Sequence, residues 1–474
     1  MSAAAALVIA VALAGCGQTT YFAGRSLPPS RLTNRVLVAI QNPGGLNRGA
    51  LEILDGYYDT RFAYNSTTKT FVVSGYSGAL PSSIQNMPEE QLGVIYGSGD
   101  GSLALIDYQK ESTGGTQSGL NGASSSIYMT RNKGYVFAAS QSSQVLTVLD
   151  RNLGGSYALS LPGVYRVSVN PGGTAALAFV QNSNYAYYPV RLNGSQTIAY
   201  SGGPATWPKA AVDCEPQNAP GWCLYQAQSP DSTDATGTYT GRPLLFDRPV
   251  KAVFSNDGGT AYVLSCGREC GGTHAGINPL PVAPLIFQPN QASGKLPTRE
   301  TLNTIAIAGG ASNALIDSST MYVVGQQLQK DGLFAGRLTT VNLNNLSVSA
   351  PVSISDGEPG AVSRMIESDD NTLWIGMSKC TNGERFATGQ DYGCLTMFDT
   401  SAGAVKLIEP FHGDATGIAS VTGLHKIYTA EGGQVYIYVT SDGHALNNQY
   451  VTVTGTAYDV AYMDGLSDAN NTVY

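Results

Sequence analysis

The stretches VSVNPGGTAALAFV (167–180) and AVFSNDGGTAYVLS (252–265) share one pattern: an apolar run, a Gly-rich turn and a second apolar run. Asn-Pro-Gly-Gly and Asn-Asp-Gly-Gly supply the positive-φ positions that a tight hairpin needs. The pattern returns in SSIYMTRNKGYVFAAS (125–140), NALIDSSTMYVVG (313–325), RMIESDDNTLWIGM (364–377) and IASVTGLHKIYTA (418–430). A third apolar run follows most copies: QVLTVLD (144–150), RLTTVNL (337–343), CLTMFDT (394–400) and QVYIYVT (434–440). SLALIDY (102–108) is the third run of an earlier, less regular copy, and a weaker fourth run such as SYALSLPG or QYVTVTG closes the unit.

Four short antiparallel strands recurring every ~40–50 residues predict an all-β chain folded as a single β-propeller. One such sheet cannot bury both faces; sheets packed around an axis bury one another, and ring closure protects the edges. Composition agrees. Only 13% of residues are charged, while Gly (56) and Tyr (27) are abundant, which suits an exported β protein. Net charge is −8 and no basic stripe is present, so nucleic acid is a disfavoured partner.

Innermost strands are expected to begin near residues 69, 124, 164, 250, 311, 361, 415 and 457, giving eight blades; seven is the alternative. The last innermost strand, AYDVAYMDG, has no blade after it, and the segment 35–65 has outer strands without an inner one. The two chain ends are therefore expected to complete one blade together. The domain spans 35–474, with a rim insertion at about 203–248.

The units resemble the YVTN/lactonase-like propeller repeat, whose inner hairpin reads apolar-Ser-Pro-Asp-Gly-x-x-x-Tyr-Val. Ser255-Asn256-Asp257-Gly258 followed by Tyr262-Val263 is the nearest match; Pro171-Gly172-Gly173 lacks the Asp, and Ser368-Asp369-Asp370 lacks the Gly. The resemblance implies the fold; function does not follow from it.

The N-terminus carries an address. Ala3 to Ala14 is small and apolar, too short to span a bilayer as a helix and suited to the core of a secretory signal. Leu13-Ala14-Gly15-Cys16 resembles a bacterial lipobox. That implies a signal peptide over 1–15, cleavage before Cys16, diacylation of its thiol and a membrane held through lipid; an ordinary secretory signal with an incidental Cys is the alternative. Gly17 rather than Asp after the Cys implies release to the outer membrane. Residues 16–34 read as a tether, stiffened by SLPPS.

The chain has seven cysteines. With Cys16 lipidated, six remain for an oxidising compartment, and the expected pairs are sequence-local: Cys214–Cys223, Cys266–Cys270 and Cys380–Cys394. Cys266, Cys270 and His274 lie four apart, but the lack of a fourth ligand nearby favours a disulfide over a metal. No metal and no cofactor are expected.

Aligned by their hairpin turns, the inner strands present one polar position each: Ser126, Arg166, Lys251, Asn313, Arg364 and Asp459, with Gly417 the equivalent in a seventh unit. These side chains are expected to ring the mouth of the central channel. Three cations in one ring suggest an anion or carboxylate site; the alternative is a solvated lining whose members pair with one another. A second candidate is a platform of rim-loop aromatics, Trp207, Trp222, Tyr225 and Tyr239, for a glycan or protein; these side chains could equally form the loop's own core.

The four histidines are dispersed and assemble no triad. The expected function is a non-catalytic, membrane-anchored binding or scaffold propeller of the bacterial envelope, with a protein or glycan partner. The alternative is a lactonase-like hydrolase acting on a small ester or lactone at the channel. That would require convergent His, Glu and Asp, whereas Arg, Lys, Asn and Ser predominate.

Overall fold

The computed structural model describes residues 25–46, 48–61, 71–117, 120–124, 126–192, 211–215, 220–229, 242–355, 360–378, 380, 393–409, 412–446 and 450–468. Cys16, the residues 1–15 read as a signal peptide, Trp207 and Tyr239 lie outside them.

The described strands form eight blades arranged in chain order around a ring. The innermost strands are Thr456–Tyr462, Pro81–Met87, Ser126–Met129, Val164–Val169, Pro249–Phe254, Asn313–Asp317, Ala361–Ser368 and Ala415–Val421, for blades 1 to 8. Blade 1 is composite: the C-terminal strand Thr456–Tyr462 pairs with Arg35–Gln41, which pairs with Gly49–Asp55 and then Phe71–Val72. The two ends of the chain thus share a sheet, and the ring is closed by backbone hydrogen bonds.

The second strands explain why the units stack. Tyr135–Ser140 is buried at every position and Thr260–Ser265 at all but its first, as strands covered on both faces must be. Each core lies between neighbouring blades: Leu177, Phe179 and Tyr225 of blade 4, for example, pack with Ala252, Val263 and Leu280 of blade 5. The hairpin turns use the expected chemistry. The side chain of Asn170 accepts from the Thr174 and Ala175 amides at 2.8 Å, and Gly173 and Gly258 take φ of 61° and 69°. In blade 7, where the turn has no Gly, Asp370 and Asn371 take φ of 63° and 54°, a conformation their short polar side chains tolerate.

Three expectations need correction. The innermost strand foreseen near residue 69 begins at Pro81, and Phe71–Val72 is the outermost strand of blade 1. The segment read as a rim insertion is partly sheet: Gly221–Gln226 is the fourth strand of blade 4 and Asp213–Glu215 a fifth, with Cys214 directly opposite Cys223. Residues 25–34, read as tether, lie on the ring. Arg25 donates to the carbonyls of Pro88 (3.1 Å) and Gly465 (3.4 Å), and Ser30 donates its amide to Glu111 (2.8 Å). The three disulfides join Cys214–Cys223, Cys266–Cys270 and Cys380–Cys394.

Candidate functional site

All inner strands start at one end of the channel, here called the mouth. In six blades the strand carries a one-residue bulge just ahead of its ring position, which is Asp459, Ser83, Arg166, Lys251, Arg364 or Gly417. Blades 3 and 6 reach the same level at Ser126 and Asn313. A bulge bends the strand and re-aims the next side chain, so the ring is a product of backbone irregularity as much as of sequence.

Four of the eight ring members, and Gln85 two residues beyond the ring position of blade 2, bind a neighbouring blade. Asp459 is fully buried and accepts from the Ile84 amide of blade 2 at 2.8 Å. Ser126 bonds the Val167 backbone of blade 4 at 3.2 Å. Lys251 donates to the side-chain oxygen of Asn313 in blade 6 at 2.6 Å. Gln85 exchanges two hydrogen bonds with Met129 of blade 3. Gly417 has no side chain because a Cβ there would meet the Cα of Asp459 at 2.6 Å. Of the six residues expected at the mouth, Ser126, Lys251, Asn313 and Asp459 bond across blades, and Lys251, Asn313 and Asp459 are buried.

The cations are left on one side of the ring. Arg166, Lys251 and Arg364 belong to blades 4, 5 and 7, and the ring position of blade 6 between them is the neutral Asn313. Burial pulls the Lys251 pKa well below that of a free amine, and the charges of Arg166 and Arg364 lower it further. Burial also lowers that of Arg166; Tyr165 opposes this and Arg364 adds to it. Like charges held together out of water are costly unless something compensates them.

Arg166 opens into a pocket of about 510 Å³ at the mouth, lined also by Tyr165, Arg248, Glu269, Asn182 and Val362. Tyr165 is the bulged residue of blade 4. Glu269 stands on the turn bridged by Cys266–Cys270 and accepts from the backbone and side chain of Gln326 at 3.0 and 3.1 Å. Burial raises its pKa to about 7, against those two hydrogen bonds. Sequence reading missed Ser83, Tyr165, Arg248 and Glu269.

The aromatic platform is corrected where it can be seen. Trp222 is fully buried and Tyr225 is 6% exposed. Trp222 packs between Tyr135, Phe137 and Phe287 and donates its indole N–H to the buried Asp150 at 3.1 Å. Both belong to the inter-blade core and offer no platform.

His274 is exposed beside the Cys266–Cys270 bridge. Among the described residues no three His, Cys, Asp or Glu side chains are placed to hold a metal ion. One histidine does enter a cluster that its isolation in sequence concealed. His412 stacks on Tyr436 at 3.9 Å, its Nδ1 lying 3.0 Å from the Tyr438 hydroxyl and 3.4 Å from the Glu431 carboxylate.

No family model matches the chain, and no curated protein does. Solved structures similar to it include the hydrazine synthase of Kuenenia stuttgartiensis, at 12% identity over 80% of this chain and 99% of that one, with a TM-score of 0.48. A candidate 6-phosphogluconolactonase from Bacteroides fragilis and apo AztD from Citrobacter koseri are each similar at 10% identity, over 90% of this chain and 97% of theirs, with a TM-score of 0.48. At these identities and TM-scores the likenesses bear on neither ligand nor reaction; the eight blades rest on the strand pairing itself.

Proposed function

We propose that this chain is an exported lipoprotein, acylated on Cys16 and held at the outer membrane, whose channel mouth binds an anionic group of an envelope glycan or protein without turning it over. The observation that carries the binding reading is the one-sided placement of Arg166, Lys251 and Arg364, with Arg166 lining the mouth pocket. An anion seated there restores to these groups the stabilisation of charge that burial removes. Each charge-assisted hydrogen bond it accepts is worth about 1.5–3 kcal/mol, and the planar Arg fork favours carboxylates. The lipobox-like Leu13-Ala14-Gly15-Cys16 supports the anchor.

The test is calorimetric titration of the form lacking residues 1–16 with a galacturonate oligomer, a carboxylated glycan probe, and with the neutral galactose oligomer. The acidic probe alone should bind, and Arg166→Gln should weaken it at least about tenfold, the loss of one such bond. Replacing Arg166, Lys251 and Arg364 together by Gln should abolish it. Equal binding by the triple variant overturns the reading. Ester or lactone hydrolysis that disappears in that variant would replace it with the hydrolase.

A further inference from the structure

We infer that the face opposite the mouth is laid against the lipid surface, so that the cation-lined pocket points away from the bilayer. This rests on acylation at Cys16. The described chain begins on that face. Arg25 is held by the carbonyl of Pro88, which follows the innermost strand of blade 2, and by that of Gly465, just beyond the innermost strand of blade 1. Asn34 accepts the Gly56 amide at 2.6 Å, at the same ends of the strands. The first described residue of the chain is therefore near the axis, at the far end of the channel from Arg166.

Length then bears on the orientation. Residues 16–24 number nine and reach at most ~30 Å even if fully extended. Round the outside of the ring, bringing the mouth to the bilayer takes them outward beneath four strands, ~19 Å at ~4.8 Å each, and then up strands of six or seven residues, ~20 Å more. The path of ~40 Å exceeds the leash.

The same face is also dressed for an interface. Tyr57 and Tyr58 are 58% and 52% exposed and meet edge to face at 4.9 Å; Leu466, beside the Arg25 contact, is 65% exposed. Tyr rings suit the boundary between headgroups and acyl chains. Apolar exposure alone does not choose the face, since Leu245 and Leu333 are exposed at the mouth end; the position of Arg25 does.

The experiment uses the full-length protein, processed in cells and reconstituted in phosphatidylcholine vesicles containing brominated lipid. Tryptophan is placed on each face, Tyr58→Trp and Leu333→Trp, and emission is read as the difference from the parent. Loss of the Tyr58→Trp emission with the Leu333→Trp emission retained is expected. Quenching of Leu333→Trp, or equal quenching of both, overturns the orientation. Mass spectrometry of the same sample separates the two claims: an unacylated mature terminus overturns the lipoprotein reading itself, whereas an acylated terminus with the wrong quenching pattern overturns the orientation alone.

Discussion

Lys251 is 9% exposed and donates to Asn313, yet its pKa is depressed, first by burial and then by Arg166 and Arg364. The unfolded chain therefore holds a proton that the folded chain releases, and this group's contribution to stability rises with pH between its folded pKa and the usual lysine value. A bound anion reverses that preference and draws the proton back. The thermal stabilisation conferred by galacturonate should thus be larger near pH 6 than near pH 9, as scanning calorimetry with and without the probe would read. Glu367 behaves in the opposite sense. Burial, with Asp317 nearby, raises its pKa to about 7. Its favourable contribution is complete below the unfolded carboxyl value and is lost as pH rises through about 7. Glu367→Gln should leave stability at pH 4 nearly unchanged and raise it at pH 8, on the order of 1–2 kcal/mol after solvent screening; urea unfolding at the two pH values measures both.

Blade 4 shows how an extra element is held. Its fourth strand brings Trp222 against blade 3, where the indole N–H and the Arg191 Nε meet the buried Asp150 at 3.1 and 2.7 Å. Trp222→Phe removes one donor and keeps the ring, so a loss of about 1–2 kcal/mol in urea unfolding is expected; Asp150→Ala strands both of these donors and also the Asn152 and Leu153 amides, which its other oxygen accepts at 3.0 and 3.1 Å, and should cost more. The strand was illegible beforehand because its apolar run, GWCLYQ, sits in a segment interrupted by Pro and Gly, and its partner Ala186–Leu192 lies beyond that interruption. Hairpins were legible because their turn chemistry is local, as in Asn170 to Thr174. The inner strand of blade 2, PSSIQNM, was hidden by its polarity, with only three of seven residues buried; Ser83 was lost with it. Alignment by turns found the ring positions. It could not show that Ser126, Asn313 and Asp459 staple the blades, because Val167, Lys251 and Ile84 belong to other repeats.

The whole ring is closed by one sheet and one buried charge cluster. Arg35 is 1% exposed. It donates to Asp464 at 2.6 Å and to Glu111 at 3.0 Å, tying the first strand of the ring to the end of the last and to blade 2. Breaking a buried pair by removing one partner costs about 3–5 kcal/mol, so Asp464→Ala should destabilise the whole molecule in a single transition. Closure also holds the cations of blades 4, 5 and 7 in one frame with blade 1. Its most direct test is deletion of everything after Gly455, followed by thermal unfolding, with deletion after Asp468 as the control. Removal of the innermost strand of blade 1 should sharply lower the transition or abolish it, leaving the control unchanged; a shortened chain that melts like the intact one would contradict the closed ring.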